Sequence, residues 1–343
     1  FMMKKNMFIE NINGNATSRP PVWFMRQAGR ILPSYLKLKQ KYSFDEMMQN
    51  KELAAKVTLL PIDDLGVDAA ILFSDILVIP KAMGLELEFT AKGPKFHNAL
   101  DGNIITKDLK FDPKKLDYIY NNIREIKFQR PQTPLIGFCG GPLTTFLFMF
   151  RRDESKKDFN HVIKLLYKEK RKCIKIMEML TEASIEYVKK QVESGIDCFQ
   201  LFETYCGIIP EKMYTEIVLP FSKKILNAAM DKNCKTIFFP KNYNMGIKNI
   251  NQDICDITSI DWQVPIESAR TLLHDKVGIQ GNMDPRIFFS DKKEIERYLV
   301  NLTSFGEKNT DWIFNLGHGF IPGIDVNNVN FVVDWIKNHN WNR

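Results

Sequence analysis

The sequence predicts an α/β fold, a single (β/α)8 (TIM) barrel domain over residues 1–343. Two observations lead there. Eight short apolar runs punctuate the chain, at Val22–Met25, Ala69–Phe73, Leu135–Cys139, Cys198–Phe202, Thr236–Phe239, Ile254–Ile260, Val277–Ile279 and Trp312–Leu316. Most are near-continuous in Val, Ile, Leu and Phe, as strands buried on both faces of a parallel sheet require. The intervals between them carry helical spacing, and that alternation argues parallel α/β architecture.

The elements follow in order. Pro21-Val-Trp-Phe-Met25 reads as a short buried strand that ends in Arg26-Gln-Ala-Gly-Arg30. A helical pattern over Glu46–Leu65 leads to the second strand. Lys92 to Pro113 is polar and broken by Gly and Pro, an excursion before the third strand. Pro131 to Phe150 has the length of a membrane span, but Gly140-Gly141-Pro142 interrupts it. A strand, a tight turn and a helix start account for it better. Asp158 to Ser194 holds the clearest helical repeat (Val162, Leu165, Leu166; Ile174, Met177; Ile185, Val188, Val192). Glu211–Met230, Asp291–Leu302 and Val326–Ile336 complete the helices. An open doubly wound sheet is the competing fold. It more often carries a Gly-rich dinucleotide fingerprint after its first strand, and Gln27-Ala-Gly-Arg30 is not one.

Composition bounds the function. A chain of 343 residues, 44% hydrophobic and 26% charged, can bury a large core and keep an ordinary wet surface. The net charge of +7 suits an acidic ligand better than a nucleic-acid groove. Lys156-Lys157, Lys164 to Lys175 and Lys189-Lys190 alternate with apolar residues and read as solvated helix faces. The six cysteines include no CxxC pair, so neither a zinc ribbon nor a disulfide framework is implied, and a reducing compartment is expected. The five histidines (97, 161, 274, 318 and 339) form no HxH or HExxH arrangement, so no metal site is expected. The start, Phe1-Met-Met-Lys-Lys-Asn, has no secretory apolar region. An initial Phe fits a processed chain, so the expected location is the cytoplasm, or a plastid if a transit peptide was removed.

Barrel enzymes carry their chemistry on the loops after the strands. Those positions hold Arg26 and Arg30; Ser74 and Asp75; Gly140-Gly141-Pro142 with Phe146 and Phe148; Glu203, Thr204 and Tyr205; Lys241; Asp261-Trp262; Asn282 to Pro285; and Gly317-His318-Gly319. Guanidinium forks bind carboxylate or phosphate in two-point fashion, so Arg26 and Arg30, separated by Gln27-Ala28-Gly29, read as an anion clamp. A surface ion-pair cluster is the plainer alternative. Asp75 is either a helix cap or an isolated acid beyond a strongly apolar strand. His318 between two glycines either lines a turn or lets a ligand approach closely. Asp284-Pro285 reads as a helix start. Glu203 and Asp261 are expected to hold Arg or backbone groups across the barrel mouth. Phe73, Phe146, Phe148 and Phe202 are core by default and aromatic walls if the mouth takes a large, flat polyanion.

These residues carry a resemblance. Pro21-Val-Trp-Phe-Met-Arg-Gln-Ala-Gly-Arg-Ile-Leu-Pro33 resembles the N-terminal signature of the uroporphyrinogen decarboxylase family. Phe73-Ser-Asp-Ile-Leu77, Gln200-Leu-Phe-Glu203, Gly281-Asn-Met-Asp-Pro285 and Asn315-Leu-Gly-His-Gly319 resemble further blocks in the family's order. The resemblance implies a homodimeric barrel that converts the four acetate side chains of uroporphyrinogen to methyls, giving coproporphyrinogen in heme (porphyrin) biosynthesis, without cofactor or metal. It implies substrate binding by Arg26, Gln27, Ala28, Gly29, Arg30, Phe73, Asp75, Phe148, Phe202, Thr204 and His318, with Asp75 and Arg26 catalytic. Neither nucleic acid nor membrane is an expected partner. Two positions depart from the pattern. Phe148 stands where the family usually has Tyr, which is expected to weaken binding or slow turnover, and Thr204 stands for the usual Ser. Two other readings are a non-catalytic tetrapyrrole carrier and a corrinoid-dependent methyltransferase-like relative. The second typically needs His/Cys zinc ligands at strand ends, and the sequence offers no matching set.

Overall fold

The computed structural model describes residues 6–90, 93–103, 108–151 and 158–343. Seven strands pair in parallel in one curled sheet. They are β1 (Ala70–Ile71), β4 (Leu135–Gly140), β5 (Cys198–Glu203), β6 (Lys235–Pro240), β7 (Ile257–Ile260), β8 (Gly278–Met283) and β9 (Trp312–Leu316), adjacent in that order. An antiparallel pair, β2 (Leu87–Thr90) and β3 (Gly93–Phe96), stands apart from the sheet, within the excursion before β4. Lys92 and residues 104–107 of that excursion lie outside the described residues.

The first apolar run closes the ring. Val22 bridges in parallel to Phe314 of β9. Trp23 N–H donates to the Phe314 carbonyl (3.3 Å), and Phe314 N–H donates to the Pro21 carbonyl (2.9 Å). On its other side the Val22 carbonyl accepts from Asp68 N–H (2.8 Å), just ahead of β1. The Asp68 carboxylate also accepts from Val22 N–H (2.8 Å) and from both Nη atoms of Arg19 (2.8 Å each). The eighth stave of the (β/α)8 barrel is thus residues 21–23.

This corrects the expected first strand, Val22–Met25. Side chains take the amides that a ladder would use: Phe24 N–H donates to Gln27 Oε1 (3.0 Å) and Met25 N–H to Asn315 Oδ1 (3.2 Å). Likewise Ala69–Phe73 contracts to β1 because Phe73 N–H turns to Thr58 Oγ1 (3.0 Å). The run from Ile254 contracts to β7, since Ile254 N–H closes a turn onto the Asn251 carbonyl (3.0 Å). The run at Val277 instead extends to Met283 as β8.

The helices form where the periodicity places them, with breaks. Glu46–Leu65 divides into Phe44–Gln49 and Lys51–Leu65, because the Asn50 side chain accepts from Leu53 N–H (2.9 Å) and starts a second helix. Asp158–Ser194 becomes Asn160–Lys168 and Lys170–Ser194, divided at Glu169. Glu211–Met230 contains a π turn at Tyr214–Val218 ahead of the helix Leu219–Met230, whose second residue is Pro220. Proline lacks the amide that an α turn needs, and a widened turn accommodates it.

One apolar cluster runs from Phe8 to Trp341. Inside the barrel it encloses a polar layer. Trp23 Nε1 donates to Gln280 Oε1 (2.9 Å), while Gln280 Nε2 donates to Gln200 Oε1 (3.1 Å) and Ser259 Oγ (3.0 Å). Those bonds offset most of the desolvation of the layer, although Gln200 Nε2 finds no partner among the described residues. Among the described residues no helix is long and apolar enough to cross a membrane.

Candidate active site

Closing the ring through Val22 makes the 21–23 stave a neighbour of both β1 and β9. Arg26, which follows that stave, therefore stands between Asp75, which follows β1, and His318, which follows β9. They are coupled electrostatically: Arg26 acts on Asp75 and on His318, and Asp75 acts on Arg26.

Arg26 has a left-handed backbone (φ 61°), uncommon for a residue with a side chain. Its side chain is exposed to solvent. Desolvation by the protein beside it lowers its pKa, opposed by the charge of Asp75 and by the Tyr205 phenol. A Cβ added at Gly319 would lie 2.8 Å from Arg26 Nε, so glycine is what leaves the side chain its path.

Asp75 has two faces. Its Oδ1 accepts from Leu77 N–H (2.7 Å), which makes the local turn into the helix Val78–Ala82. Its Oδ2 accepts no bond from any described residue. Burial raises the carboxyl to about 6, against the pull of the Leu77 amide and of Arg26. Asp75 is therefore not the cap of that helix, whose N-cap is Leu77 without a side-chain bond; it makes a local turn ahead of it and leaves one oxygen free of protein donors among the described residues.

His318 is half-buried and stacks on Phe239 of β6, centroids 6.2 Å apart at 26°. Desolvation, then the charges of Arg26 and Lys241, push it down to about 3, so it is neutral at ordinary pH. Lys241 Nζ also sits 5.7 Å from the ring centre of Trp262, whose other cationic neighbour is Arg286 (5.4 Å).

Aromatic side chains adjoin these polar ones. Phe202 at the end of β5 packs edge-on against Phe138 (5.4 Å) and Phe239 (6.1 Å). Phe148 packs on Phe159 (5.6 Å) and Tyr205 (5.8 Å), with the Arg151 guanidinium 5.4 Å from its ring centre. Phe73 is buried against Phe44 (4.9 Å) and Tyr35 (6.1 Å). Thr204 is half-buried at the end of β5.

The arginine run divides. Arg30 is exposed, with its charge near Tyr35, and Ala28 and Gly29 are half-buried. The Gln27 side chain is fully buried, accepting from Phe24 N–H and donating to the Ala69 carbonyl (2.9 Å). That corrects its expected role: it ties the 21–23 stave to the start of β1 and turns away from the mouth. Phe146 is also core, buried against Phe150 (5.1 Å), because it lies on the inward face of the helix Pro142–Met149.

Glu203 is buried, and it gathers four bonds. Its Oε1 accepts from Thr144 N–H (2.7 Å) and Thr144 Oγ1 (2.5 Å), and its Oε2 from Leu143 N–H (3.2 Å) and Tyr214 O–H (3.2 Å). It thus anchors the first turn of the helix Pro142–Met149. Burial still raises it to about 7, because the donors only partly replace water. Asp261 accepts from Asn242 N–H (2.6 Å) and Gln263 N–H (2.8 Å). Both acids hold backbone at the mouth. Asp284 caps the turn at Pro285–Phe289 through Arg286 N–H (2.9 Å). Among the described residues no three His, Cys, Asp or Glu gather in a group able to hold a metal ion.

Two further strand-end side chains, Tyr205 and Lys241, are of types that mark no site by themselves in a sequence. Their positions beside Arg26 and His318 became visible only with the loops folded.

A parallel barrel that collects its polar side chains at the carboxyl ends of its strands is the architecture of the barrel enzymes. This chain belongs to the uroporphyrinogen decarboxylase family: residues 3–339 match the model of uroporphyrinogen decarboxylase (URO-D). It is 34% identical to the uroporphyrinogen decarboxylase of Chlorobium phaeobacteroides, with 98% of each chain covered. It is 35% identical to that of Chlorobaculum tepidum over the same shares. Among solved structures its fold is similar to a methyltransferase from Methanosarcina mazei, with a TM-score of 0.76 at 16% identity over 96% of this chain and 97% of that one. A B12-independent methionine synthase from Shewanella sp. W3-18-1 is more distant, at TM-score 0.57 and 12% identity over 87% of this chain and 90% of that one. At such identities the likeness speaks for the fold alone.

Proposed function

We propose that this chain decarboxylates the four acetate side chains of uroporphyrinogen to methyls, giving coproporphyrinogen in heme biosynthesis, with one barrel domain carrying the whole reaction. The carrying observation is the placement of Arg26 between Asp75 and His318 by the closing stave, with aromatic rings adjoining them. A ring of pyrroles has flat apolar faces, four inward N–H groups and eight peripheral carboxylates. The mouth offers aromatic surface, an open carboxylate oxygen and cations to match.

In this reading a proton adds to a pyrrole carbon beside an acetate, and the ring becomes cationic. The bond to the carboxylate then breaks, CO2 leaves, and its electron pair neutralises the ring. A second proton on the exposed methylene makes the methyl, and the ring carbon gives back the first proton, so the pyrrole is restored and one proton is consumed for each CO2 released. Asp75, ionised above about pH 6, faces the pyrrole N–H groups and stabilises the cation by preorganised charge. Arg26 binds a carboxylate by charge-assisted bonds worth roughly 1.5–3 kcal/mol. Arg30 holds a carboxylate at the outer edge, and Thr204, Phe73, Phe148 and Phe202 complete the contacts. Ala28 and Gly29 act through their backbone, keeping the turn between the two arginines. The first proton is assigned to Arg26. Arg26 is charged and stands beside Asp75, whereas His318, pushed down to about 3, is neutral and serves as a hydrogen-bond partner.

The same reading includes a homodimer and a location in cytoplasm or plastid, supported by the resemblance and the sequence alone. Anaerobic incubation with uroporphyrinogen, followed by separation of products by carboxyl number, tests the activity. Products with four carboxyls are expected. A bound tetrapyrrole that keeps all eight would favour the carrier reading.

A further inference from the structure

We propose that the hydroxyl of Tyr205 donates a hydrogen bond to the substrate, replacing on this chain the phenol that is lost at position 148. The inference deepens the decarboxylase reading and rests on it.

Tyr205 follows Thr204 after β5, and its placement is tightly specified. Its N–H donates to Thr144 Oγ1 (3.0 Å), the same hydroxyl that donates to Glu203. Its ring meets Phe159 at 5.0 Å and 81° and Phe148 at 5.8 Å and 73°. Phe148 and Phe159 in turn meet each other at 5.6 Å and 71°. Three mutually edge-on rings fix where the phenol points.

The hydroxyl is open. Among the described residues nothing bonds it, although the neighbouring tyrosines are engaged: Tyr214 O–H with Glu203 and Ser222, and Tyr243 O–H with Thr215. Tyr205 is only half-buried. It also lies within electrostatic reach of Arg26. A carboxylate gripped by Arg26 would place an acceptor beside this donor.

The resemblance places a tyrosine at the position of Phe148, and Phe148 has no donor to offer. Its ring touches the ring of Tyr205. The two positions are thus one aromatic unit at the mouth, and the hydroxyl absent from one ring is present on the other.

The test is a two-position cycle: wild type, Tyr205→Phe and Phe148→Tyr/Tyr205→Phe, each assayed with uroporphyrinogen and followed by thermal melting. Tyr205→Phe should lower kcat/KM about tenfold, the effect of one hydrogen bond, with its melting midpoint unchanged. The double variant should return to within about threefold of wild type. Recovery of that kind separates a hydroxyl that meets substrate from one that merely packs. The proposal is overturned if Tyr205→Phe stays within about twofold of wild type, or if the double variant is as impaired as Tyr205→Phe. A wild-type chain that leaves uroporphyrinogen untouched would defeat the decarboxylase reading instead, and is scored before either variant.

Discussion

Gly319 packs so closely on the side chain of Arg26 that a Cβ there would lie 2.6 Å from Arg26 Cγ and 2.8 Å from its Nε. The residue after His318 therefore sets where the guanidinium rests, although the two lie at opposite ends of the chain. Replacing Gly319 by Ala should push Arg26 aside with little loss of fold, since the atoms met belong to a side chain with room to swing. Losing one charge-assisted contact of roughly 1.5–3 kcal/mol lowers kcat/KM by about ten- to a hundredfold. Steady-state kinetics and a melting curve read the two effects separately.

Asp75 should set the acid limb of the pH profile. Burial favours its neutral form and lifts its pKa to about 6, while the proposed role needs the anion. Activity should therefore fall as pH drops through about 6, approaching tenfold per unit below it. Asp75→Asn should abolish most turnover at every pH while the chain still melts cooperatively. Initial rates between pH 5 and 8 decide this, and near-normal turnover in the variant would remove Asp75 from the mechanism.

Glu203 should matter to stability more than to binding. A glutamine there keeps one acceptor oxygen but points an amide donor at donors, which costs about 1–3 kcal/mol in a buried site. The linkage has a definite sign. The folded carboxyl, at about 7, lies above its ordinary 4.5, so the fold favours the protonated form. That contribution is complete below pH 4.5 and is lost as pH rises through about 7. Denaturant unfolding across that window should show the Glu203 contribution as the difference in slope between wild type and Glu203→Gln, Asp75 and His318 contributing equally to both.

His318 should remain neutral wherever the protein is folded near neutrality. Its environment depresses it to about 3, so its ring resonances should show no titration between pH 5 and 8 in an NMR experiment. His318→Ala should raise KM roughly five- to tenfold, the effect of one lost hydrogen bond, without introducing or removing a limb near pH 6.5. A histidine limb in kcat that disappears in this variant would give His318 the proton instead.

Much of this was legible in the sequence. Apolar runs and helical spacing located β4, β5, β6 and β9 to within a residue or two, because strands buried on both faces must be apolar throughout. The strand-end positions of Arg26, Asp75 and His318 could be read as well. Less legible were the places where a side chain takes over a backbone partner. Gln27 and Asn315 take the amides of Phe24 and Met25, and Asn50 splits a helix that periodicity alone would run through. Such bonds depend on which polar atom folding brings within about 3 Å, and no local pattern encodes that.

The sequence by itself determined the barrel class, the order of its staves and the residue types at its mouth, since burial and periodicity act along the chain. The tertiary structure alone decided which of those residues meet. Closing the ring at Val22 joined the 21–23 stave to both β1 and β9 and set Arg26 between Asp75 and His318. It turned the Gln27 side chain inward, made Glu203 a helix anchor, and laid Tyr205 on Phe148. Each of these outcomes is a contact between segments distant in sequence, fixed by packing and hydrogen bonding across the barrel.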